Sequence, residues 1–219
     1  MEGALAERQG IAVNAALLLA ILLHNLTYPL SGAGGIWPAV FYLFYAMIFV
    51  IGTWALTGDG RMRAASAISG AAVLVAGIAN SYAPSDGAAL AVFIASIAYH
   101  STMCLVLAVY TFRARTVMGD VVLAATSLYL VIGSGFAAIF ALIEWLAPGS
   151  FAASSGAEIT WQQMVYYSYI TLTTLGYGDI TPVGSYAQAF ASFEAVLGVL
   201  YTVILLSRLV GLYSASSDS

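Results

Sequence analysis

Six stretches of this chain, residues 11–30, 37–57, 64–82, 88–111, 121–147 and 185–211, are apolar over their length. Each reaches or approaches the roughly 20 residues that an α-helix needs to cross a hydrocarbon core of about 30 Å. No water reaches the backbone there, so each run must pair its own N–H and C=O groups as a helix. An all-α membrane protein with six transmembrane helices follows. Only 7% of the residues are charged, where a soluble domain carries about a quarter.

The basic residues orient the six runs. All are arginines: Arg8 precedes the first run, Arg61 and Arg63 join the second to the third, Arg113 and Arg115 join the fourth to the fifth, and Arg208 ends the sixth. Basic residues stay on the cytoplasmic side. Both termini are therefore expected in the cytoplasm, in a multi-pass protein of the cell (plasma or inner) membrane. The opposite connections, 31–37, 82–87 and 148–184, contain no Lys or Arg. The first run exceeds the roughly 7–15 residues of a signal-peptide core and lacks a strongly basic flank, so it is read as a retained span. A net charge of -4 offers no basic patch for nucleic acid. Cys104 lies inside the fourth run and says nothing of redox compartment.

Between the fifth and sixth runs, "GAEITWQQMVYYSYITLTTLGYGDITPVG" (156–184) is too polar and too interrupted to span. Thr160 and Gln163 fit a capping box, which starts a helix running to about Leu172. Its length is about 18 Å, roughly half the hydrocarbon core, so the segment dips in and returns. Irregular backbone at that depth survives only against protein or water. The return limb 174–179 is thus expected to line an aqueous path. Gly176 and Gly178 accept left-handed conformations that let successive carbonyls face one way. A row of carbonyl oxygens suits a dehydrated cation, which the negative end of the short helix also favours.

"TTLGYGD" (173–179) resembles the selectivity filter of the potassium-channel superfamily, whose carbonyl-lined filter is a standard case of ion selectivity. The likeness covers about 121–211 and is to six-transmembrane, voltage-gated-like prokaryotic channels. It implies a tetrameric pore with outer helix 121–147, pore helix 160–172, filter 174–179 and inner helix 185–211. The carbonyls of Thr174, Leu175, Gly176 and Tyr177, with the Thr174 hydroxyl, would coordinate K+, and Gly178 completes the filter. Thr173, Tyr166, Tyr167 and Asp179 would support it: Tyr177 would brace against Tyr166 and Tyr167, and Tyr166 stands where an aromatic bonds the filter aspartate. Gly198 matches a gating hinge, or serves close helix packing. Val199, Thr202 and Leu206 would face the cavity, with Leu206 or Val210 nearest a gate. Leu175 replaces the usual Val or Ile, and Ile170 stands where some members carry a buried acid.

Glu194, one turn before Gly198, is unfavourable in lipid without a partner. It either packs behind the filter against Ser168 or Thr171, or is a protonated acid bonded to a neighbouring helix. Glu144 resembles the acid that ties the outer helix to the filter's outer loop, although snorkelling also explains it. His24 and His100 are pH sensors or satisfied polar packing residues. The sequon Asn25-Leu26-Thr27 falls inside a span and is set aside. Tyr28, Trp37 and Trp145 read as interfacial anchors.

The expected organisation is a cytoplasmic N-terminus (1–10), a four-helix voltage-sensor-like domain (11–112), a linker (113–120), the pore region (121–211) and a cytoplasmic tail (212–219). The fourth run lacks the arginines that sense voltage, and nothing after the sixth resembles a cytosolic ligand domain. One filter motif without internal repeats implies a homotetramer, with K+ and the bilayer as partners and no cofactor beyond permeant K+. The expected function is passive, potassium-selective permeation. The alternatives are a nonselective monovalent cation channel, or a K+ uptake transporter subunit, which would need four filter loops in one chain. No paired acids with metal-ligand His and no Ser/His or Cys/His set suggest an enzyme.

Overall fold

The computed structural model describes residues 2–27, 29–30, 34–114 and 119–217. Tyr28, Arg115, much of the linker and parts of the 31–37 connection and the tail lie outside them. Among the described residues, seven α-helices run in the order α1 (Glu2–Thr27), α2 (Trp37–Leu56), α3 (Gly60–Tyr82), α4 (Asp86–Arg113), α5 (Gly119–Leu146), α6 (Trp161–Leu172) and α7 (Ser185–Ser217). All except α6 are long and apolar enough to cross a membrane. The protein is a multi-pass, all-α membrane protein.

Local chemistry sets the helix ends. Asp59 caps α3 by accepting the Arg61 N–H at 2.8 Å, and Ser85 caps α4 by accepting the Ala88 N–H at 3.2 Å. At the end of α2, Arg63 donates to the Thr57 carbonyl at 2.7 Å and to the Trp54 carbonyl at 2.9 Å. A cation at that negative helix end is favoured by the dipole. Several helix limits differ from the sequence reading, most of all the start of α1, which is Glu2 where the apolar run begins at 11. α1 is described to Thr27, and Pro29, in a short 3-10 turn before the expected end at residue 30, cannot continue it. The expected tail instead continues α7 as helix to Ser217.

The first four helices pack in sequence order, and both α1 and α4 lie along α5. Small residues allow this. A Cβ on Gly77 would meet the Tyr42 ring at 2.4 Å, and one on Gly70 would meet Val50 at 3.0 Å. One buried cluster joins Leu17, Ile21, Tyr45, Val73, Tyr99 and Leu107 to Leu128 and Val131 of α5. A second cluster, around Phe140, Phe151, Met164 and Tyr167, lies beneath the outer loops.

One pair of short strands was not anticipated. β1 (Phe151–Ala153) pairs antiparallel with β2 (Ile180–Pro182), with Ala152 opposite Thr181. The ladder joins the loop after α5 to the residues directly after the filter motif.

Candidate functional site

α6 begins as the sequence predicts: the Gln163 side chain accepts the Thr160 N–H at 2.8 Å. Its end passes straight into the motif. The Leu175 N–H donates to the Ile170 carbonyl at 2.9 Å, the Thr174 N–H to the Thr171 carbonyl at 2.9 Å, and the Thr173 hydroxyl to the Tyr169 carbonyl at 2.6 Å. Backbone φ is then positive at every second residue: +58° at Thr174, +55° at Gly176 and +76° at Gly178. Alternating hands keep successive carbonyls on one side of an extended strand. The sequence identified the two glycines and missed Thr174, a β-branched residue for which this region costs about 1–2 kcal/mol. Residues 173–179 are all exposed in the single chain.

The outer end of the motif is held by polar contacts. The Tyr166 hydroxyl donates to Asp179 Oδ2 at 2.8 Å, the pairing expected from the resemblance. That bond holds the Tyr166 phenol above its ordinary pKa and keeps it a donor. The Ser154 N–H donates to the Asp179 carbonyl at 2.8 Å. Glu144 accepts the Gly149 N–H at 2.7 Å on one oxygen and the Phe151 N–H at 2.9 Å on the other. Its carboxylate therefore fixes the loop that leads into β1 instead of simply reaching toward headgroups. Tyr177 was expected to brace against Tyr166 and Tyr167. It is exposed, and Tyr167 faces Phe140 and Phe151 with ring centroids 5.1 and 5.2 Å away. The ring of Tyr167 is covered by α5 and β1.

The inner end is held by close packing. Gly198 of α7 lies against the last turn of α6, where a Cβ would stand 2.1 Å from the Leu172 carbonyl oxygen. The same carbonyl accepts from the Tyr129 hydroxyl at 3.2 Å. Gly133 of α5 receives the Tyr169 ring, which a Cβ would approach to 2.6 Å. Glu194 is wholly buried, with Oε1 at 2.5 Å from the Ser168 hydroxyl; of the two hydroxyls considered, Ser168 is the partner found. Further along α7, the Thr202 hydroxyl donates to the Gly198 carbonyl at 3.0 Å, and the side chains of Val199 and Leu206 are exposed.

Several residues that hold this frame carried no readable signal. The Tyr169 hydroxyl donates to the Leu130 carbonyl at 2.8 Å and accepts from Asn25 at 2.6 Å, so α1 reaches the pore-side helix directly. The Tyr201 hydroxyl donates to the Ala125 carbonyl at 2.6 Å. Arg208 donates to the carbonyls of Thr111 and Ala114, at 2.6 and 2.5 Å, closing the end of α4. The histidines sit apart from the motif. His24 stacks on Tyr45 at 4.4 Å, and His100 Nδ1 donates to the Ser96 carbonyl at 2.8 Å. Among the described residues, no group of three or more His, Cys, Asp or Glu has the arrangement of a metal centre.

Comparison with known proteins matches part of the chain. Residues 117–215 match the family model described as "Ion channel". A stretch of 63 residues is 38% identical to "Two pore potassium channel c" of Oryza sativa subsp. japonica, covering 29% of this chain and 14% of that protein. A stretch of 87 residues is 30% identical to "Protein LctB" of Bacillus caldotenax, covering 37% of this chain and 64% of that protein. The chain thus spans less than two thirds of either relative. No solved structure matches it significantly. These likenesses point to a channel and not to an enzyme. Region 117–215, which contains the TTLGYGD motif, is thus similar to the ion-channel family, and one of the relatives is a potassium channel.

Proposed function

We propose that the chain is the pore-forming subunit of a potassium-selective channel, passive and driven by the K+ gradient, with four copies surrounding one filter. The observation that carries this reading is the left-handed backbone at alternate residues Thr174, Gly176 and Gly178, directly after a helix too short to span. Carbonyls of Thr174, Leu175, Gly176 and Tyr177, with the Thr174 hydroxyl, replace the hydration shell of K+, and repulsion between neighbouring ions keeps exit fast. The carboxyl end of α6 carries a partial negative charge that favours a cation below the filter. One chain supplies one wall of such a path, and the exposure of residues 173–179 suits a surface that further copies complete. The name of the rice relative favours K+ as the ion.

In this reading Glu144, Tyr166, Tyr167, Thr173, Asp179 and Glu194 hold the filter. Gly198, Thr202, Leu206 and Val210 belong to the inner helix that opens and closes. Both termini lie in the cytoplasm of a cell-membrane protein, as the arginine pattern requires. The four-helix domain lacks a voltage-sensing charge ladder: within 88–111 there is no Arg or Lys.

The test is a reversal potential for purified protein in a planar bilayer under opposing K+ and Na+ gradients, repeated with barium. A reversal near the potassium equilibrium value with barium block is expected. A reversal near zero would replace this reading with a nonselective cation channel, and Leu175, more than half exposed in the single chain, would be the first suspect.

A further inference from the structure

The buried contacts of Ser168 contain one proton too few. Its hydroxyl oxygen lies 2.7 Å from the Gly133 carbonyl oxygen and 2.5 Å from Glu194 Oε1. A serine hydroxyl has one proton to give, and a backbone carbonyl has none. If Glu194 were a carboxylate, two acceptors would compete for that proton, and the loser would face a lone pair at hydrogen-bond distance. Neither Ser168 nor Glu194 is exposed to solvent. Glu194 Oε2 has no partner among the described residues. The titratable groups that bear on Glu194 are phenols, Tyr129 from α5 and Tyr167 and Tyr169 from α6. Among the described residues no arginine or histidine compensates a charge there.

We propose that Glu194 carries the missing proton: its carboxyl O–H donates to Ser168 Oγ, and the Ser168 hydroxyl donates to the Gly133 carbonyl. All three groups are then satisfied in direction, and the uncompensated charge disappears. The 2.5 Å separation is a short hydrogen bond in either direction, so the count of protons and acceptors is what places the proton. Three helices are joined by this neutral strap: α7 through Glu194, α6 through Ser168 and α5 through Gly133. On both α7 and α6 the strap sits one turn from the contact between Gly198 and Leu172. Glu194 is thus a positioning residue, acting on the filter through α6. That consequence rests on the channel reading above; the location of the proton does not.

Infrared difference spectroscopy on the full-length protein in detergent, parent minus Glu194→Gln, reads the proton directly. A protonated-acid C=O band at neutral pH that vanishes in the variant is expected, and a carboxylate band in its place overturns the proposal. Rubidium uptake into proteoliposomes gives the second readout. Glu194→Gln keeps a donor for Ser168 and should stay within about threefold of the parent, whereas Glu194→Ala should fall about tenfold. Equal losses in the two variants, with helicity retained, would mean that the charge is needed and would sink the proposal. An acid band in a protein that passes no rubidium would support the proton and count against the channel.

Discussion

The two ends of the filter motif are held by different physics. At the outer end, Tyr166, Asp179, Glu144 and the β1–β2 ladder act through hydrogen bonds, some of them exposed. At the inner end, Gly198, Gly133 and Glu194 act through buried contacts that leave no room for an added atom. Hydrogen bonds that exchange with water contribute little each and fail one at a time. Close-packed interiors are less forgiving, since even one methyl group must displace a neighbour. The outer end is therefore open to gradual adjustment, and the inner end fixes where the motif starts.

Gly198→Ala should have the largest effect. Its methyl would overlap the Leu172 carbonyl, so α6 and α7 must separate at a cost of about 3 kcal/mol or more. Thermal unfolding in detergent should drop sharply, with flux lost in whatever protein remains folded. If the variant is stable and its flux changes only in gating, Gly198 is a hinge before it is a contact. Gly133→Ala comes next, because the Tyr169 ring can swing where a backbone carbonyl cannot; a loss of about 1–3 kcal/mol is expected. The companion change Tyr169→Phe removes the bond to Asn25 and should reveal whether α1 stabilises the pore side.

Glu144→Ala tests the outer end. Two backbone N–H groups lose a charged acceptor, for a loss of about 1–3 kcal/mol, and hydrogen exchange should rise at Gly149 and Phe151 while α6 stays protected. Exchange that rises equally at Leu172 would mean that the two ends are one unit. Tyr166→Phe is expected to be the mildest. It removes one bond to Asp179, leaves thermal stability near the parent value and should alter the lifetime of the conducting filter without changing the ion preferred. A shift of the reversal potential in this variant would overturn the division between a fixed base and an adjustable mouth.

Much of this was legible because it is local along the chain. Thr160 and Gln163 announced the start of α6, and its length showed that it turns back. Gly176 and Gly178 marked where the backbone turns left-handed. Thr174 was not recognisable as a third left-handed residue, since a threonine gives no such signal by itself. The role of Glu144 was half visible: its identity suggested a tie, but its targets lie in a loop whose path depends on β1 pairing with β2. The packing of Tyr167 against Phe140 and Phe151 was not readable for the same reason.

The sequence by itself determined the solvent, the number of apolar helices and the place where backbone leaves the helical pattern, because hydropathy, capping and glycine freedom act over a few neighbouring residues. Only the tertiary structure decided which polar groups meet. Ser168 and Glu194 are 26 residues apart, and Asn25 and Tyr169 are 144 apart. In an apolar interior a buried polar atom must find its partner wherever packing brings one, and packing is a property of all the helices together.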